Sequence, residues 1–123
     1  MAPAASAQKR PDPVVEAPSR KAYELTAKYF RALADPMRLT VLELLIDGEK
    51  SVEEIRSAIG CKQPRLSNQL ACLRWCDFVT TRRDGNHIYY AIAEPSIREM
   101  LRLVDKALAH QAERIAACTR IDG

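Results

Sequence analysis

The chain has 123 residues, 47% hydrophobic and only 6% aromatic, with a formal net charge of +3. That composition describes one aliphatic, helix-built domain. No apolar run approaches the roughly 18 residues of a membrane span, and the N-terminus lacks the charged-then-apolar pattern of a secretory leader. A cytoplasmic setting is therefore expected, in which the four cysteines stay reduced and form no disulfide framework.

Residues 1–19, rich in Ala and Pro without hydrophobic period, read as a disordered tail. Residues 20–118 read as the folded domain and 119–123 as a short C-terminal tail. From Ala22 to Leu33 the apolar residues recur at helical spacing. Asp35-Pro36 is an N-cap followed by a first-turn proline, so a second helix is expected to about Ile46, stopped by Asp47-Gly48. Ser51 caps a third, short helix ending near Ile59, with Glu53 and Glu54 in its first turn. After the turn at Gly60, a fourth helix is expected from about Gln63 to Trp75. The period then changes to two: Val79–Arg82 and His87–Ile92 flank Asp84-Gly85-Asn86, a hairpin signal. Pro95 opens a long last helix to about Ala117, striped by Ile97, Met100, Leu101, Val104, Ala107 and Leu108.

Three helices, a tight turn into a fourth and a hairpin describe a winged helix-turn-helix, mainly α with a small β-hairpin wing. The apolar stripes of the terminal helices are expected to form a homodimer interface. From Arg56 to Arg83 there are six positive residues (Arg56, Lys62, Arg65, Arg74, Arg82 and Arg83) and a single acid, Asp77. A basic patch on a near-neutral chain is the footprint of a nucleic-acid surface, here double-stranded DNA. The fourth helix is expected to read the major groove through Gln63, Arg65, Ser67, Asn68 and Gln69, with Lys62 and Arg74 near phosphates. Arg82, Arg83 and Asn86 suit phosphate or minor-groove contact by the wing. Trp75 is expected to pack rather than to stack on a base, and Cys61 is expected to belong to the core. His87 is read as structural or phosphate-facing and His110 as solvent-exposed. Cys76 with His87 is the only nucleophile–base pairing on offer, and no oxyanion hole or phosphate loop accompanies it, so the chain is not read as an enzyme.

Cys72 and Cys76 lie four residues apart on the reading helix, so both thiols project from one face, roughly 5–6 Å apart at Cβ. A soft metal ion can bridge such a pair.

Three strings, FRALADPMRLTVLELL (Phe30 to Leu45), LSNQLACLR (Leu66 to Arg74) and RRDGNHIYYAI (Arg82 to Ile92), resemble the ArsR/SmtB family of metal-responsive repressors over about residues 22–117. The resemblance implies a homodimer that represses an operon until an effector binds. The Cys-x-Cys pair of the arsenic- and cadmium-sensing branches is replaced here by Ser51 and Glu53. Of the zinc-sensing ligands on the last helix, Glu94 matches, Ser96 and Ala107 stand in place of histidines, and His110 stands in place of an acid. The string CLRWC is similar to the cadmium/lead-sensing CmtR-like branch, which implies Cys72, Cys76 and a tail cysteine, Cys118, as metal ligands. Three thiolates suit cadmium, lead or mercury, whereas zinc more often completes four ligands including His. Water, His110 and Cys61 are candidates for a fourth ligand, and no organic cofactor is expected. The expected mechanism is release of the operator when the metal ties these cysteines together, with Cys118 from the same or the other subunit. The alternative is a repressor of the same fold whose cysteines sense oxidants, reactive sulfur or arsenite. A constitutive DNA-binding protein with inert thiols is a further reading.

Overall fold

The computed structural model describes residues 19–60 and 62–121. The expected N-terminal tail, apart from Ser19, and Cys61 lie outside them. The described residues fall into two units that meet in sequence at Leu33 and Ala34.

The first unit contains α1, Arg20–Leu33. Ser19 starts it, its hydroxyl and carbonyl both accepting from the Ala22 N–H. Leu33 is buried, whereas Tyr23, Leu25, Tyr29 and Phe30 are all exposed.

The second unit holds the remaining elements: α2 (Pro36–Leu44), β1 (Lys50–Ser51), α3 (Val52–Ile59), α4 (Gln63–Trp75), β2 (Val79–Asp84), β3 (His87–Ile92), α5 (Pro95–Ala117) and a 3-10 turn at Thr119–Ile121. Local chemistry explains the boundaries. Asp35 caps α2 by accepting from the Met37 and Arg38 amides. Ser51 and Glu54 form a reciprocal capping box at α3, which ends on Gly60 in the left-handed region at φ 73°. The end of α4 is a Schellman motif: the Phe78 amide reaches the Leu73 carbonyl and the Asp77 amide that of Arg74, with Asp77 left-handed at φ 62°.

The hairpin closes through Gly85-Asn86, with Asp84 opposite His87 and the register running to Val79 opposite Ile92. Gly85 at φ 64° occupies the first loop position, which a two-residue turn of this hand requires. The two-residue β1 was not anticipated from sequence. It pairs antiparallel with β3, Lys50 with Tyr90 and Ser51 with Tyr89, giving a three-stranded sheet in the order β1-β3-β2. The core is aliphatic, as expected: Val41, Leu42 and Leu45 meet Ile55, Leu66, Leu70 and Leu73, closed by Phe78, Val79 and Tyr90. The start of α5 joins it through Ile97 and Leu101, and Arg98 donates to the Ile46 carbonyl beyond the end of α2. No helix among the described residues is long and apolar enough to cross a membrane.

Candidate nucleic-acid interface and thiol site

The helical turn of about 100° per residue divides α4 into three working faces around its buried stripe of Leu66, Leu70 and Leu73. Opposite that stripe lie Pro64, Asn68, Ala71 and Trp75, all exposed. Trp75 is 88% exposed, which corrects the expectation that it is a packing residue of the chain. The signal was present in the sequence: Trp75 stands about 180° from the middle of the leucine stripe.

One flank of α4 turns toward the hairpin. Ser67 and Arg74 line a cleft of about 510 Å³ with Ser51 and Glu53 at the start of α3 and with Asn86 and His87 at the hairpin turn. Arg74, Asn86 and His87 are exposed there, as are Lys62, Arg65, Ser67, Asn68 and Arg83. Gln63 opens the helix. The expected readers therefore divide between this flank, the outward face and the opposite flank.

Arg82 has a prior engagement. Its Nε donates to Glu49 Oε1 at 2.8 Å and its Nη2 to Glu49 Oε2, while its guanidinium carbon stands 4.4 Å above the Tyr89 ring. The Arg82 bond holds the Glu49 carboxyl below the ordinary glutamate range, and Glu49 in turn raises the Arg82 pKa. Glu49 is 33 residues away in sequence and comes beside Arg82 because β1 joins the sheet.

The other flank of α4 carries Arg65, Gln69, Cys72 and Cys76, within about 60° of one another. The Cys76 amide donates to the Cys72 carbonyl at 3.0 Å, so Cys76, the C-cap residue just past Trp75, still stands one helical turn beyond Cys72. Cys72 is half-buried and Cys76 exposed. Arg38 of α2 reaches across to this flank: its Nε donates to Gln69 Oε1 at 2.8 Å and its Nη1 to Cys72 Sγ at 3.4 Å. Gln69 is half-buried, and its side-chain oxygen is held by Arg38 of α2. Sequence reasoning missed Arg38, because nothing local to α2 marks a contact 31 and 34 residues away.

Cys118 follows the last turn of α5 and is half-buried. Helix α5 is anchored by Ile97 and Leu101, and every residue from Arg102 to Ala117 is exposed. Among the described residues of one chain, no group of three or more His, Cys, Asp or Glu side chains is assembled to hold a metal ion. The donors themselves, two thiols one helical turn apart, are chemically suited to a soft cation.

Comparison with known proteins agrees with this architecture. The profile of the bacterial regulatory protein arsR family matches residues 35–81, which run from the α2 cap into β2. The "Probable mercury resistance operon repressor" of Streptomyces lividans is 39% identical over 100 residues, covering 81% of this chain and 80% of that protein. The HTH-type transcriptional regulator CmtR of Mycobacterium bovis is 33% identical over 95 residues, covering 76% and 80%. The crystal structure of Mycobacterium tuberculosis Rv0081 superposes with a TM-score of 0.72 at 41% identity, covering 80% of this chain and all of that one. The homodimeric winged helix-turn-helix DNA-binding domain of Mycobacterium bovis Mb0332, solved by NMR, gives 0.67 at 33% identity, covering 82% and 95%. A capped helix-turn-helix, a hairpin wing and a polar, basic reading helix together with these identities lead to one conclusion: the chain belongs to the arsR family of bacterial regulatory proteins, which are DNA-binding transcriptional regulators and not enzymes.

Proposed function

We propose that this chain is a homodimeric repressor that leaves its operator when a soft, thiophilic metal ion, cadmium, lead or mercury, binds Cys72 and Cys76 together with Cys118. The observation that carries the reading is the shared flank of α4: Arg65 at its DNA-reading end and both thiols at its other end stand on one rigid rod. Anything gripping the thiols biases the orientation in which Arg65 meets DNA. The names of the Streptomyces lividans and Mycobacterium bovis relatives, a mercury resistance operon repressor and CmtR, support a metal effector.

The dimer is supported by the apolar surface each chain leaves in water. Val104, Leu108 and Ile115 of α5 are 40–46% exposed, and the large residues Tyr23, Leu25, Tyr29 and Phe30 of α1 are 39–70% exposed. A second copy covers such stripes, as the homodimeric Mb0332 domain illustrates. Cys118 lies 17 residues beyond the anchor at Leu101, about 25 Å further along the helix axis. That distance supports a cysteine supplied across the dimer. DNA contact is assigned to Lys62, Gln63, Arg65, Ser67, Asn68 and Gln69 at the start of α4, to Arg74 at the cleft, and to Arg82, Arg83 and Asn86 on the wing.

The test is ultraviolet absorption of the reduced chain titrated with Cd(II), Pb(II), Hg(II) and Zn(II), repeated with Cys72→Ser and Cys118→Ser. The expected result is intense thiolate-to-metal bands saturating at one soft ion per subunit and lost in both variants. Absent bands, or bands that survive Cys72→Ser, overturn the reading. Release of DNA by peroxide in their place transfers the role to thiol oxidation.

A further inference from the structure

Arg38 touches both a proposed effector ligand and a proposed DNA reader. Its backbone is fixed first: Asp35 Oδ1 accepts from the Arg38 amide at 3.2 Å, so the cap of α2 sets where the side chain departs. The guanidinium then spans to α4 and divides its donors, Nε to Gln69 Oε1 and Nη1 to Cys72 Sγ. Gln69 and Cys72 are three residues apart and therefore neighbours on the helix surface. The planar, fork-shaped guanidinium suits a two-acceptor grip of this kind, which the single ammonium of lysine does not reproduce.

The geometry points to Arg38 as the positioning residue that sets thiol occupancy and DNA reading against each other. This inference rests on the proposed metal response and adds the device that transmits it. With the thiol of Cys72 unligated, its sulfur accepts from Arg38, and the same guanidinium orients Gln69 on the reading helix. When the sulfur coordinates a divalent cation, one of its lone pairs is taken and a second positive centre stands within a few ångströms of the guanidinium. Arg38 then withdraws, and Gln69 loses the bond that orients it. Each side chain has two arrangements, and both ligands bias the choice, which is the physical requirement for coupled sites.

The experiment measures the affinity of a labelled duplex, selected in vitro for binding the wild-type chain, by fluorescence anisotropy with and without saturating Cd(II). Wild type is expected to lose about 100-fold in affinity on Cd(II) binding, at the upper end of ordinary allosteric coupling. Arg38→Met is expected to retain the Cd(II) absorption bands while its loss shrinks below 10-fold. Gln69→Ala, which leaves the Arg38–Cys72 contact in place, is expected to shrink the loss similarly, and it carries the test if Arg38→Met lacks the wild-type circular dichroism. In wild type, the Arg38 Nε–H resonance is expected to lose its protection from solvent exchange when Cd(II) is added, a change that a purely structural arginine does not show. Full 100-fold loss in Cd(II)-loaded variants overturns the relay alone. Absence of Cd(II) bands in wild type overturns the metal reading and the relay with it.

Discussion

Helices α4 and α5 begin alike and end differently. Both open on a proline-containing first turn, and both carry an apolar stripe. In α4 the stripe is spent inside the chain, where Leu66 and Leu73 are fully buried and Leu70 nearly so. In α5 only Ile97 and Leu101 are buried, and beyond them the stripe faces water for four turns. Identical patterning therefore serves two purposes. A stripe closed by its own chain fixes a rod in place, and a stripe left open invites another copy of the chain. The thiols follow the same division: Cys72 and Cys76 ride on the fixed rod, and Cys118 sits at the tip of the open one.

The contrast breaks first on core truncation. Leu73→Ala, which removes a fully buried side chain, is expected to lower unfolding free energy by about 2–5 kcal/mol in chemical denaturation. Leu108→Ala, at 40% exposure on the open stripe, is expected to cost the isolated monomer little. Equal losses, measured at a dilution where only monomer is present, would mean that α5 packs within its own chain.

A charge in the open stripe sharpens the contrast next. Val104→Lys is expected to raise the dimer dissociation constant about 100-fold, equivalent to ~2.7 kcal/mol, in sedimentation equilibrium. The protein-concentration dependence of Tm would change with it. An unchanged dimer would show that the second copy docks elsewhere.

Smaller effects test the fixtures that hold α4. Ser51→Ala removes one half of the α3 capping box and is expected to cost about 1 kcal/mol by thermal unfolding. Asp77→Gly relieves a left-handed Schellman position and is expected to add about 0.5 kcal/mol. A destabilised Asp77→Gly would mean that the carboxylate has a role beyond the turn.

The least stability is at stake in the wing pair. Glu49 titrates below the ordinary glutamate range because Arg82 binds it, so the pair is intact above the unfolded-state pKa. It is lost as pH falls through the depressed folded value, which an NMR titration of the Glu49 carboxyl would follow. Glu49→Gln is expected to free Arg82 for a phosphate and to steepen the salt dependence of DNA binding by about one unit of slope. An unaltered slope would leave Arg82 as a structural strut of the wing.

Amino-acid order alone determined the local features of this protein. First-turn prolines marked the starts of α4 and α5, Asp35 and Ser51 capped α2 and α3, and Gly85-Asn86 set the hairpin turn. These signals act over a few residues, so periodicity and side-chain chemistry suffice to read them. The order of these elements identified the helix-turn-helix and its wing, and three strings pointed to the family. Tertiary structure decided what each exposed or polar side chain meets. Gln69 and Cys72 share a guanidinium because α2 packs across α4, and Arg82 is paired because β1 brings Glu49 to the sheet. Those partners stand 31–34 residues apart, and only packing can choose among the polar groups that so long a separation makes available.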